Sequence, residues 1–114
     1  MSDCIFCKII SGEIPSKKVY EDELVMAFND VSPEAPVHVL IVPKEHIASA
    51  NDITEENADV VKNIFLAAKK IATDLNVAEG GYRIVNNCGE NGGQSVKHLH
   101  FHLLGGRNLS WPPG

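Results

Sequence analysis

No stretch of this chain approaches the roughly 18 continuous apolar residues that a membrane-spanning helix needs, so no membrane association is expected. Met1 to Cys7 carries Asp3 and no basic region ahead of a long apolar run. A secretory signal is therefore not expected, and a cytoplasmic location is the default. Positive charge is the minority: 10 Lys plus Arg stand against 15 Asp plus Glu, a formal net charge of −5. The basic residues come as scattered pairs such as Lys17-Lys18 and Lys69-Lys70, which excludes the clustered positive surface of a nucleic-acid binder. One small nucleotide stays compatible, because backbone N–H groups and neutral donors can hold a phosphate ester. Cysteine is sparse and odd in number, three, which disfavours a disulfide framework in a chain expected to be cytosolic. Repeats, low-complexity tracts and linker-like runs are absent too. The 114 residues suffice for a single domain over 1–114 and are too few for two.

What is present suits a folded domain, since 44% of residues are apolar. Cys4 to Ile10 predicts a short helix ended by Gly12 and Pro15. Val19–Tyr20 and Leu24–Phe28 predict two strands joined across Glu21-Asp22-Glu23. Val37 to Val42 is β-branched and nearly continuously apolar, as a central strand should be, and Pro43 closes it. Between about Thr54 and Asn76, Val61, Ile64, Ala68, Ile71 and Leu75 make one helical stripe, with Asp52 or Thr54 as the cap. Tyr82 to Val85 and about Val96 to Leu104 predict the last strands, separated by a loop rich in Gly and Asn. Five strands with hairpins, one long helix and no βαβ alternation predict an α+β fold on an antiparallel sheet.

His98-Leu99-His100-Phe101-His102-Leu103-Leu104 carries the chemistry. In a strand, side chains alternate faces, so the three histidines would share one side at spacings of about 6–7 Å. Leu99, Phe101 and Leu103 would face the core. Three alternating histidines can be a solvent-facing polar surface, a single metal site, or a nucleophilic imidazole between partners that fix its tautomer. The upstream Gly92-Gly93-Gln94-Ser95 favours the nucleophile. Its glycines admit an anion close to the backbone, and Gln94 and Ser95 can aim donors at phosphate oxygens.

The pattern His-φ-His-φ-His-φ-φ, with φ apolar, is the signature of the histidine triad family. The chain resembles its Hint branch, the nucleoside phosphoramidases, through Gly92 to Arg107, Trp111 to Gly114, Ile5-Phe6, Phe28 to Pro33, Ala35-Pro36, His38 and Val42 to Lys44. The resemblance implies a HIT-like fold with a five-stranded antiparallel sheet, one long helix and a short N-terminal helix. It also implies a purine nucleoside phosphoramidase or nucleotide hydrolase acting at the α-phosphorus, with His100 as the nucleophile that becomes nucleotidylated. His102 would contact the phosphate, its backbone carbonyl orienting the nucleophile, and His38 would support the triad from the neighbouring strand. Ser95 and Asn87 correspond to donors for the phosphate and leaving group, and Asp30 to the acceptor for the ribose hydroxyls. Ile5, Phe6, Ile9, Phe28, Val31 and Leu40 correspond to the base pocket, with Asn29, Gly93, Gln94 and Trp111 also contributing to nucleotide binding. Without the resemblance, those apolar residues read as core and Asp30 as a turn residue ahead of Ser32-Pro33. Family members of this branch are homodimers, with the C-terminal tail reaching the partner's site.

Cys4-x-x-Cys7 can be a metal half-site, a redox pair or two buried thiols. The redox form expects a βαβ context that is missing here. A zinc set would need two more ligands, for which His46 and His98 are the candidates. Here the resemblance implies a structural zinc, one per chain, as in bacterial-type members and the related galactose-1-phosphate uridylyltransferases. It requires no catalytic metal. Cys88 reads as a bystander. A nucleotide-binding regulatory or partner-binding module without turnover is the alternative function.

Overall fold

The computed structural model describes residues 3–114, so Met1 and Ser2 of the domain lie outside the described residues. The first helix, α1, spans Ile5–Ser11. The Cys4 sulfur caps it by accepting the Cys7 N–H at 3.4 Å, and Gly12 ends it. Strands β1 (Lys18–Glu21), β2 (Val25–Asn29) and β3 (Val37–Pro43) follow. After a 3₁₀ turn over Ala50–Asp52 comes helix α2 (Asp59–Asp74), then β4 (Tyr82–Val85) and β5 (Phe101–Gly105). All pairings are antiparallel, in the spatial order β1-β2-β3-β5-β4. Strand β3 is therefore the centre of five, as its apolar run predicts.

Strand parity sorts the side chains into two layers. Leu40 lies opposite both Phe28 and His102, and His38 opposite Leu104, so these groups share one face. On that face Phe6 of α1 packs with Met26, Phe28, Leu40 and Val42. The other face carries Val25, Ala27, Val39, Ile41, Phe101 and Leu103, covered by Ile64, Ala67, Ala68, Ile71 and Ala72 of α2. Burial on both faces explains why β3 shows no polar alternation except at His38. Burying each large aliphatic here stabilises the fold by about 1.5–3 kcal/mol. The larger core therefore belongs to α2, away from the histidines.

Two elements differ from expectation. Helix α2 starts at Asp59 behind Ala58, which makes no side-chain cap. Asp52 is occupied in the 3₁₀ turn, where its carboxylate accepts the Ser49 hydroxyl at 3.0 Å. The Thr54 N–H donates to the Asn57 side chain at 2.7 Å. The last strand begins at Phe101, not Val96, because its ladder with β3 ends at the Ile41–Phe101 pair. Beyond Pro43 the β3 chain turns away, and the Leu99 N–H bonds to the Ile47 carbonyl instead, at 2.6 Å. His98 and His100 thus precede the strand, while Leu99 still enters the larger core.

This layering predicts that Ile71→Ala lowers unfolding free energy in urea by about 2–5 kcal/mol. Leu66→Ala, at a half-exposed position of the same helix, should stay within about 0.5 kcal/mol. Equal losses would contradict the assignment of the core to the inner face of α2.

Candidate active site and metal centre

The rings of His38, His100 and His102 meet on the α1 face, each held at Nδ1. His100 Nδ1 lies 2.7 Å from the His98 carbonyl. A carbonyl only accepts, so Nδ1 carries a proton, and in the neutral ring the lone pair falls on Nε2. This orienting carbonyl belongs to His98, not to His102 as the resemblance implied. The reason is that residues 98–100 run outside the ladder, which leaves the His98 carbonyl free of a strand partner. The His100 ring is buried edge-on against Phe6, with centroids 5.0 Å apart, and lies 5.3 Å from the His102 ring. The Asn86 amide holds the His100 carbonyl at 2.9 Å.

A second chain of bonds fixes His102. The backbone N–H of Glu34 donates to His38 Nδ1 at 3.0 Å, so the neutral His38 ring carries its proton on Nε2. That Nε2–H reaches His102 Nδ1 at 2.9 Å, with the Asp30 carboxylate 3.4 Å away. His102 Nδ1 is then the acceptor, and Nε2 carries the proton. Asp30, His38 and His102 are close enough to be a metal triad. The Glu34 N–H argues against that, because a metal on His38 Nε2 would leave two donors facing each other at Nδ1. Burial, helped by the neighbouring His100 and His38, holds His102 down to about 4, so it is neutral at pH 7.

Beside the rings opens a cavity of about 680 Å³. Ile5, Phe6, Ile9, Phe28, Asn29, Asp30, Val31 and Leu40 line it, all eight drawn from the predicted set. Ile14, Pro15, Ser16 and Lys17 line it as well. Their residue types carry no signal of a binding wall, and only the turn after α1 brings them there. Asp30 is also a turn residue, its Oδ1 accepting the Ser32 N–H at 2.7 Å. A carboxylate offers about four lone-pair sites, so capacity for a diol remains.

Other predicted residues lie elsewhere. Ser95 is exposed and lines a separate depression with Cys4, His46 and Lys97. Asn87 is half-buried, Gly93 exposed and Trp111 81% exposed, and none of the three lines the cavity. Gln94 is a correction. Its side-chain amide donates to the carbonyls of Ala48 (2.7 Å) and Val96 (3.0 Å), its oxygen accepts the Gly89 N–H, and its own N–H bonds Gly89. It staples the loop and has no N–H left for a phosphate. Gly92 serves close approach to the protein itself, since a Cβ there would sit 2.4 Å from the Cys88 carbonyl oxygen, and Gly93 supplies a left-handed turn with φ +81°.

Cys4, Cys7, His46 and His98 converge, their donor atoms all within 4.8 Å of one another. Cys4 Sγ lies 3.3 Å from His98 Nδ1, Cys7 Sγ 3.3 Å from His46 Nδ1 and 3.6 Å from His98 Nδ1, and the two nitrogens are 3.1 Å apart. A tetrahedral site with usual bond lengths has edges of about 3.3–3.8 Å, so the set can hold a metal ion. His98 Nε2 donates to the Pro43 carbonyl at 2.9 Å, which turns the Nδ1 lone pair towards the cluster. Burial pushes the His98 pKa down, favouring that neutral form. The three histidines of the motif are thus not one metal site, because His98 Nδ1 faces Cys4, Cys7 and His46 while His102 pairs with His38.

Residues 11–109 match the HIT domain family. The match starts after the Cys4–Cys7 pair, which therefore lies outside it. An uncharacterised HIT-like protein of Synechococcus elongatus is 53% identical over 98% of this chain and 97% of its own. The purine nucleoside phosphoramidase of Escherichia coli is 49% identical, covering 94% of this chain and 90% of that protein. The crystal structure of a HIT family hydrolase from Legionella pneumophila superposes with a TM-score of 0.96 at 50% identity, covering 98% of this chain and all of that one.

The depressed His102 value has a pH consequence with a defined sign. Between 6.5 and about 4 the unfolded chain binds a proton at this position and the folded chain does not. Stability from His102 is therefore full above 6.5 and is lost as pH falls towards 4. Imidazole NMR titration should find its midpoint near 4, and His102→Asn should flatten the stability profile across that window. A midpoint near 6.5 would contradict the buried, neutral assignment.

Proposed function

Since the chain belongs to the HIT domain family, we propose that it is a purine nucleoside phosphoramidase, a hydrolase acting at the α-phosphorus of nucleoside 5′-monophosphate derivatives. The observation that carries this is the pair of fixed tautomers: a lone pair on His100 Nε2 beside a proton on His102 Nε2. A nucleophile next to a donor is what an in-line displacement at phosphorus needs. His100 Nε2 attacks the α-phosphorus as the P–N bond breaks, and the departing amine takes a proton from solvent, which the attacking water gives back in the second step. Water then cleaves the nucleotidyl-histidine and releases the monophosphate. Splitting one slow displacement into two, with oriented donors awaiting the charge, lowers the barrier. No step calls for a catalytic metal.

The apolar walls from Phe6, Ile9, Phe28 and Leu40 suit a purine ring, and Asp30 at their edge suits the ribose diol. In this scheme Ser95 and Asn87 approach the phosphate when substrate is present. The homodimer is proposed on the open edge of β4, where Tyr82 is exposed, and on the tail. Arg83 holds the tail by donating to the Ser110 carbonyl at 2.8 Å, leaving Trp111 free to reach a partner's site. A cytoplasmic location is proposed because a reducing compartment keeps the Cys4–Cys7 pair available as ligands.

For the cluster we propose a structural zinc ion held by Cys4, Cys7, His46 and His98. Zinc there supplies folding energy, tying α1 to the residue that orients His100.

Turnover of an adenosine 5′-phosphoramidate should be readily measured for the protein and fall by at least about 10⁴-fold in His100→Ala, with a nucleotidyl adduct on the intact protein by mass spectrometry. Equal turnover by both proteins ends the proposal. Tight purine nucleotide binding without turnover or adduct would favour a regulatory binding module. Metal analysis should find about one zinc per chain, and Cys7→Ser should lose it together with thermal stability. An unchanged melting temperature on chelation would contradict the structural role.

A further inference from the structure

The proton on His102 depends on His38, and the state of His38 depends on a backbone N–H in an exposed loop. That loop, residues 30–36, contains Pro33 and Pro36 on either side of Glu34-Ala35. A free neutral imidazole interconverts between tautomers, so the Glu34 N–H sets His38 only while it stays aimed at Nδ1. One side chain from another part of the chain grips this residue. Arg107 donates twice to the Glu34 carbonyl, from Nε at 3.2 Å and from Nη2 at 2.8 Å, while its Nη1 is tied to the Asn108 carbonyl at 2.9 Å. Just before it, Gly106 has φ +92°, and a Cβ there would lie 2.9 Å from the Pro36 ring. The turn after β5 thus lies directly against the loop and delivers the guanidinium to Glu34.

We propose that Arg107 is a positioning residue: by clamping Glu34 it holds the Glu34 N–H on His38 and so sets the direction of the His38–His102 relay. With the clamp, His38 donates and His102 presents N–H at its outer nitrogen. Without it, the Glu34 N–H swings off and His38 can carry its proton on Nδ1. His102 Nδ1 then becomes the donor, and its outer nitrogen presents a lone pair where an anionic phosphate should bind. Arg107 touches neither ring, and Lys in its place could supply one donor but not the fork.

The consequence for turnover rests on the phosphoramidase reading; the tautomer assignment does not, so the two fail separately. In uniformly ¹⁵N-labelled protein, a scalar coupling across the hydrogen bond should join the Glu34 amide nitrogen to His38 Nδ1. This needs no variant, and its absence overturns the proposal. Arg107→Ala should move the Nε2 resonances of His38 and His102 from the protonated towards the averaged position, and Arg107→Lys should restore them in part. Arg107→Ala should also lose about tenfold in kcat with little change in KM, because the lost donor acts mainly in the transition state. Ring nitrogens unchanged from the parent in Arg107→Ala would overturn the clamp. Altered tautomers in a protein that turns over no phosphoramidate would support the clamp and count against the enzymatic reading alone.

Discussion

The peptide carbonyl of His98, 2.7 Å from His100 Nδ1, is the contact on which the rest of the site depends. A hydrogen bond of about 1 kcal/mol biases a two-tautomer equilibrium roughly fivefold. Reversing the ring here would also leave a buried carbonyl facing a lone pair, which adds about 1–3 kcal/mol. Together these terms hold the proton on the inner nitrogen in nearly every molecule. In the neutral ring the lone pair is therefore on the outer nitrogen.

His98 serves two centres at once. Its carbonyl orients His100, and its ring completes the cluster with Cys4, Cys7 and His46. Pro43 fixes that ring through a carbonyl at the end of the central strand. Phe6 sits between the two cysteines in sequence and meets the rings of His98, His100 and Phe28 edge-on. Helix α1 is therefore both a wall of the cavity and an arm of the cluster. In the proposed account, a metal held there would stiffen the segment that presents the orienting carbonyl.

Much of this was legible from residue order alone. Alternation separated Leu99, Phe101 and Leu103 from the histidines, because period two holds for extended chain whether or not it is paired. The apolar run of β3 marked the sheet centre for the same kind of local reason. What escaped depended on distant partners. The start of β5 is set by the departure of the chain beyond Pro43, and the cap of α2 by the capture of Asp52 in a 3₁₀ turn. Gln94 read as a phosphate donor because nothing local shows that Ala48, Val96 and Gly89 occupy its amide. The pairing of Cys4 and Cys7 with His46 and His98 spans most of the chain, so its spacing was uninformative. Arg107 belonged to the stretch that carries the resemblance but gave no sign of its contact, since its target is a carbonyl and any residue offers one.

The central claim is the protonation pattern of one ring, and nitrogen NMR of the unliganded protein at neutral pH reads it directly. Long-range ¹H–¹⁵N correlation should show His100 with Nδ1 protonated and Nε2 bare. A bare Nδ1 with a protonated Nε2 would contradict the account, because the lone pair would then face the His98 carbonyl and the outer nitrogen would have none to offer.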